Sequence, residues 1–288
     1  MAAMETYSAP RTLEEATRAL ATGDATALAG GTDVLPRWTK GLVGRPEAVV
    51  DLKRVEGLAG VSRADGEVRI GACTSLSEIA YAPLVLSAAP VLAKAAGRVA
   101  CPQVRNRATV GGNLCNASPA ADTAVPLILL DAMLDLASFR DGALTMRQVP
   151  IADFFHGPGS TVLAPGEILT CIRFKPLSDG VFEAWDKFGT RPAMEIAVAS
   201  VGAVLAFEEK TVAHARLGYG SVAPVPLRGR KGEAELVGHT LSAGVIEKCV
   251  GAAREEIAPI TDVRAGAAYR REVVGVMLGR MLERAASH

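Results

Sequence analysis

Hydrophobic and polar positions fall into short blocks along the chain, and the period changes several times. Thr12 with Glu15 three residues on is a capping-box pattern, which predicts a short helix with Gly23 just past its end. The apolar run 26–29 predicts a strand, which Gly30 and Gly31 break. Thr32 or Asp33 then caps a helix over 34–40, with Pro36 tolerated in its first turn. Residues 47–52 and 67–73 read as strands, Ser75 and Glu78 form a second capping box, and the Ala-rich 90–98 reads as helix. Residues 101–116 are polar and lack a period, so they predict a loop. Ser118 as N-cap and Pro119 at the first helical position open a helix that ends near Asp131. Strands follow at 133–139 and 144–149.

Pro158-Gly159, Pro165-Gly166 and Pro176 punctuate the middle of the chain, and a boundary near 176–180 divides it into 1–177 and 178–288. Strands are expected at 168–175, 181–188, 197–207 and 211–219, then two helices at 241–257 and 262–285. Strands followed by helices predict an α+β fold, its second part an antiparallel sheet with helices.

Hydrophobic residues make up 49% of the sequence and charged ones 22%, which predicts a packed core rather than disorder. Lys+Arg and Asp+Glu each total 31, a balance that argues against a nucleic-acid binder. The longest apolar runs, 124–130 and 197–207, fall short of the roughly 20 residues that span a bilayer. The first fifteen residues carry no apolar segment of a secretory leader. A cytoplasmic protein with no membrane span is therefore expected.

The five cysteines (Cys73, Cys101, Cys115, Cys171 and Cys249) are odd in number and form no C-x-x-C pair. That fits free thiols in a reducing compartment, and the C-x4-C-x2-C spacing of a plant-type iron–sulfur cluster is missing. The four histidines are scattered, so no metal site is expected. If this chain handles electrons, an organic cofactor must carry them.

Two glycine pairs are candidates to hold one. Leu28-Ala29-Gly30-Gly31-Thr32-Asp33-Val34 places a pair between a strand and a helix start, where backbone N–H groups converge into a phosphate cradle. Glycine suits such a turn because a Cβ would hold the ligand away. Taken alone, the segment reads first as an ordinary strand–helix turn, since short glycine motifs are weak signals. Thr109-Val110-Gly111-Gly112-Asn113 repeats the arrangement about eighty residues later, and Asp122 lies nine residues beyond it. A carboxylate there suits a helix start or the hydroxyls of a ribose. Neither loop matches the G-x-G-x-x-G fingerprint or the P-loop, which disfavours a Rossmann domain and leaves a dinucleotide ligand open. Arg105 and Arg107 are candidates for a phosphate or an acidic partner surface. Lys187 sits among apolar residues, suited to a ring edge or to snorkelling into solvent.

The segments 29–33, 105–122, 187–197 and 262–271 together resemble the FAD-binding medium subunit of the molybdenum hydroxylases, the carbon monoxide dehydrogenase and xanthine dehydrogenase type. The likeness covers nearly the whole chain. It implies an FAD-binding domain of the PCMH or vanillyl-alcohol-oxidase type over 1–177 and a C-terminal carbon monoxide dehydrogenase flavoprotein domain over 178–288. It implies that Ala27, Leu28, Ala29, Gly30, Gly31, Thr32, Asp33 and Val34, with Thr109, Val110, Gly111, Gly112 and Asn113, wrap the FAD diphosphate. Asp122, Leu169 and Lys187 would also approach the cofactor, and Val99 stands where the family places an apolar or aromatic contact. No side chain is expected to act as an essential acid or base.

The resemblance further implies a relay. Electrons would pass from a large molybdopterin subunit through the [2Fe–2S] clusters of a small subunit to FAD here, then to NAD+, oxygen or a quinone. A dimer of heterotrimers is the expected assembly. The competing reading is a free-standing flavin reductase like the one that reduces UDP-N-acetylenolpyruvylglucosamine, which would need substrate-binding cations and a proton donor of its own.

Overall fold

The structure is a computed structural model describing residues 6–23 and 25–288. The expectation drawn from the first fifteen residues rests partly on 1–5, which lie outside the described residues.

Strands β1 (Thr6–Ser8), β2 (Ala25–Leu28) and β3 (Ala48–Asp51) form a parallel sheet in the order β1-β3-β2. Helix α1 (Leu13–Leu20) starts at the expected capping box, in which Thr12 and Glu15 each satisfy the other's backbone N–H. Helix α2 (Val34–Thr39) joins β2 to β3 and buries no residue. Asp33 stands at its N-cap but makes no side-chain cap bond; its carboxylate lies 3.6 Å from Arg37 instead.

After β4 (Val61–Ala64) and β5 (Glu67–Gly71) come six short helices: α3 (Leu76–Tyr81), α4 (Pro83–Ala88), α5 (Pro90–Gly97), α6 (Pro102–Arg105), α7 (Val110–Cys115) and α8 (Ala124–Leu129). Two of them fall where a loop was expected over 101–116. They are four and six residues long, too short to print a period on the sequence. The helix expected from Pro119 begins instead at Ala124. The Pro119 carbonyl accepts the Ser221 N–H at 2.8 Å and the Ser118 hydroxyl accepts that of Ala120, so turns precede the helix.

Strands β6 (Met133–Arg140) and β7 (Ala143–Pro150), the small hairpin β8 (Phe155–Gly157) and β9 (Ser160–Thr161), and β10 (Ile168–Phe174) come next along the chain. An antiparallel sheet, β4-β5-β10-β6-β7, shares its core with helices α3 to α8.

The remainder is a second antiparallel sheet in chain order, β11 (Phe182–Phe188), β12 (Ala199–Glu208), β13 (Thr211–Gly220) and β14 (Leu227–Arg228). Helices α9 (Arg230–Leu236), α10 (Ala243–Glu256) and α11 (Ala267–Ala285) cover one face. Helix α9 escaped the sequence reading because five of its seven residues are charged or glycine. The last helix starts at Ala267 rather than at 262, since the Asp262 carboxylate ties down the preceding loop through the Arg264 and Ala265 N–H groups and Arg270.

Side chains alternate across β11. Phe182 and Ala184 join the core under the helices, whereas Glu183, Trp185 and Lys187 meet α5 or its C-terminal end. Helix α8 packs on the same sheet, where Gly202 and Gly218 leave room for Leu129 and Val125.

Candidate functional site

The first glycine-paired turn packs backbone to backbone against Arg107 and Ala108, the residues that lead into the second. A Cβ on Gly30 would fall on the carbonyl oxygen of Arg107, and one on Gly111 would lie 2.7 Å from both Cβ and O of Ala72. Glycine at these two positions is thus demanded by the protein's own close packing, not by the space a ligand needs. Gly112 differs: it is exposed, and an added Cβ would meet only the Thr109 hydroxyl, at 2.9 Å.

Between the turns opens a cavity of about 1240 Å³, its mouth included. Its enclosed part, about 360 Å³, lies within the roughly 300–1,000 Å³ of small-molecule pockets. Ala27, Ala29, Gly30, Gly31, Thr32, Asp33 and Val34 line it from the first turn; Thr109, Gly111, Gly112 and Asn113 line it from the second. Val99 and Leu169 add apolar wall. Leu28 and Val110 do not line it, being buried at 9% and 0% exposure beneath the turns.

The donors differ between the turns. Among the described residues, the N–H groups of Gly31, Thr32, Asp33 and Val34 meet no acceptor. Those of Val110 and Gly111 are already given to the carbonyls of Thr74 and Ala72, and Gly112 gives its own to Thr109 Oγ1. Asn113 Oδ1 accepts the Thr123 hydroxyl at 2.6 Å, which leaves its amide NH2 as a donor. Free backbone donors on one side, an amide on the other and apolar walls between are a donor set fitted to a diphosphate carrying a ring system.

Asp122 and Lys187 are not part of that lining; they meet each other at 2.6 Å, with side chains 8% and 6% exposed. Burial pushes the Asp122 carboxyl up to about 6, against the pull of the Lys187 and Arg98 charges. Its Oδ1 has no hydrogen-bond partner among the described residues. Lys187 also donates to the Arg98 carbonyl at 2.9 Å. Arg105 braces the loop above it, giving Nη1 to the Val99 carbonyl at 2.9 Å, while the exposed Arg107 contributes its backbone against Gly30.

Sequence reasoning missed five polar residues of the wall: Arg37, Cys73, Cys115, Asn116 and Glu167. Glu167 is 8% exposed and takes both arms of the Arg147 guanidinium, at 2.6 and 2.7 Å, plus the Ala164 N–H. Burial opposes its ionisation, but these donors outweigh it and hold the carboxyl below the usual range. Burial lifts the thiols of Cys73 and Cys115 to about 11 and about 12. The charge of Glu167 between the Pro165-Gly166 turn and an apolar strand was the one visible signal; the cysteines gave none.

Comparison with known proteins accounts for both halves. Residues 2–176 match the family described as FAD binding domain in molybdopterin dehydrogenase, and 184–285 match the CO dehydrogenase flavoprotein C-terminal domain. The xanthine dehydrogenase FAD-binding subunit of Escherichia coli O157:H7 is 32% identical over 284 residues, covering 98% of this chain and 96% of its own. The carbon monoxide dehydrogenase medium chain of Hydrogenophaga pseudoflava is 32% identical over 281 residues, covering 97% and 96%. The solved carbon monoxide dehydrogenase from that organism superimposes with a TM-score of 0.92 at 31% identity, over 98% of this chain and 97% of that one. Among the described residues no helix is long and apolar enough to cross a membrane. With both halves matched and relatives aligned end to end, the chain is an FAD-containing oxidoreductase subunit and belongs to the FAD-binding medium subunits of the molybdenum hydroxylases.

Proposed function

We propose that this chain receives electrons from [2Fe–2S] clusters on a small partner subunit and delivers them through FAD to NAD+, oxygen or a quinone. A large molybdopterin subunit would carry out the substrate oxidation, and the complex would be a cytoplasmic dimer of heterotrimers. The observation that carries the reading is the meeting of two distant glycine-paired turns at one cavity, with Gly30 against Arg107. The five cysteines are free and spread through the fold, which suits clusters held by a partner.

When bound, FAD supplies the two-electron and one-electron chemistry that links clusters to an acceptor. The protein binds and orients it. In this proposal the N–H groups of 31–34 and the Asn113 amide hold the diphosphate, Val99 and Leu169 flank the ring system, and Gly112 lets the second turn approach. Leu28 and Val110 support the turns from below. Asp122 and Lys187 act one layer out, as a buried ion pair behind the wall. No side chain is assigned a proton-transfer step. We place the division between the FAD-binding domain, 1–177, and the C-terminal domain, 178–288, in the link before β11.

The free-standing reductase reading is not favoured, because the C-terminal half matches the flavoprotein domain of CO dehydrogenase. The test is to isolate the intact complex and record its subunit masses, absorption spectrum, and iron, molybdenum and flavin content. Flavin on this chain with iron on a smaller one is expected. A chain that purifies alone, holds FAD and reduces a soluble enol ether with a nicotinamide donor would overturn the proposal.

A further inference from the structure

The donors assigned to the diphosphate, the N–H groups of 31–34 and the Asn113 amide, are all uncharged. Each phosphate of FAD carries negative charge, and Asp33 and Glu167 add carboxylates to the lining. Arg147 neutralises Glu167 at 2.6 Å. Asp33 is exposed, and its ion-pair partner is Arg37, one helical turn on, at 3.6 Å.

Arg37 is the one cationic side chain that lines the cavity among the described residues. Other cations near the wall are committed elsewhere: Lys53 to Asp51 at 2.8 Å, Lys187 to Asp122 at 2.6 Å, and Arg105 to the Val99 carbonyl at 2.9 Å. Arg37 is held far less firmly. Its side chain is 45% exposed and stands beyond hydrogen-bond distance from Asp33, and exposed pairs of this kind hold their partners weakly.

Helix geometry aims this side chain. A helical Cα–Cβ bond tilts towards the N-terminal end, so a long side chain covers the turn before its own Cα. For Arg37 that turn is 31–34, whose N–H groups meet no acceptor among the described residues. The backbone of Arg37 is fixed at both groups: its N–H donates to the Asp33 carbonyl at 3.2 Å, and its carbonyl accepts the Leu42 N–H at 2.9 Å.

We infer that Arg37 is a cofactor-binding residue: its guanidinium turns from Asp33 to the FAD diphosphate and supplies the positive charge that the backbone cradle lacks. The planar fork of a guanidinium suits paired phosphate oxygens. The inference rests on the cavity being the FAD site.

The experiment uses the whole complex, stripped of flavin and titrated with FAD at low and at high salt, with the visible circular dichroism of the bound flavin recorded throughout. Wild type, R37Q, R37K and K40Q are compared. At low salt R37Q should bind FAD about tenfold more weakly, which corresponds to ~1.4 kcal/mol. Salt screens exposed charges, so the gap should narrow at high salt. R37K keeps the charge but not the fork; its affinity should fall between the two, with the salt dependence of wild type. Lys40 caps the same helix outside the lining, and K40Q should match wild type. All four should share one dichroism spectrum, because Arg37 touches the diphosphate and not the ring.

Wild-type affinity in R37Q would overturn the inference. So would a loss that is equal at both salt concentrations or comes with altered dichroism, since either means a structural role. An equal loss in K40Q would reduce the effect to net charge and refute the contact. Should R37Q fail to assemble, R37K decides: full wild-type affinity there refutes the forked contact. Wild type failing to bind FAD would sink the site assignment itself, a separate outcome.

Discussion

Lys187 Nζ and Asp122 Oδ2 lie 2.6 Å apart across 65 residues of sequence, joining the first strand of the C-terminal sheet to the turn before α8. The pair is buried, so its two charges depend on each other. Removing one partner of a buried ion pair costs about 3–5 kcal/mol, because the other charge is left uncompensated. K187M is therefore expected to lower stability by about 3 kcal/mol. D122N, which leaves Lys187 its carbonyl acceptors, should cost less. Denaturant melts of the two variants check the order; equal losses would show that no buried charge is stranded.

The same pair gives a pH dependence of defined sign. The Asp122 carboxyl titrates at about 6 in the fold against its ordinary 3.8. Its contribution to stability is thus fully present below about 3.8 and is lost as pH rises through about 6. The amide of the D122N variant has no such titration. The difference in melting temperature between wild type and D122N should shift against wild type from pH 4 to 7, then level off. For a chain of this size each 1 kcal/mol moves the midpoint by about 2–4 °C. A difference independent of pH would contradict the elevated carboxyl.

The glycine turns separate folding from binding. G30V and G111V drive side chains into the backbone of Arg107 and into Ala72, an overpacking that costs about 1–3 kcal/mol or more. Both should expose the chain to proteolysis. G112V adds its bulk on the exposed side of the turn and should lose FAD while keeping the fold. In the complex, substrate oxidation with an artificial dye that bypasses flavin should persist. Full FAD content in G112V would remove the second turn from the site.

Glu167 braces the segment that carries Leu169. E167Q keeps the shape but gives up a bidentate, charge-assisted contact with Arg147, and hydrogen bonds to charged groups contribute about 1.5–3 kcal/mol each. A fall in stability with weaker FAD retention is expected. Because the folded carboxyl titrates low, the Glu167 contribution is present above the ordinary glutamate range and fades as pH falls through the depressed value. Acid melts of wild type and E167Q should converge; curves that stay parallel would rule the brace out.

Cys73 and Cys115 both line the cavity, with thiols titrating near 11 and 12. Little thiolate is present at neutral pH, so alkylation should be slow and should quicken as pH rises. Bound FAD should slow it further. Mass spectrometry of alkylated sites, with and without flavin, reads both effects. Equal labelling in the two states would place the cofactor elsewhere.

Much of this protein was legible in its sequence because the signals are local. The Thr12 capping box, the long strands of both antiparallel sheets and the two glycine pairs each follow from residues a few positions apart. Helices α6 and α7 did not, because six residues or fewer cannot display a period, and a helix at Pro119 was displaced by a hydrogen bond from Ser221, a hundred residues away. The sequence could nominate Gly30, Gly111, Asp122 and Lys187 but not their partners. Only the tertiary structure decided that two of those glycines serve backbone-to-backbone contact and that Lys187 finds Asp122 and the Arg98 carbonyl. The reason is physical: a backbone turn is encoded by its own residues, whereas a buried charge or a close approach is defined by whatever distant segment the fold brings against it.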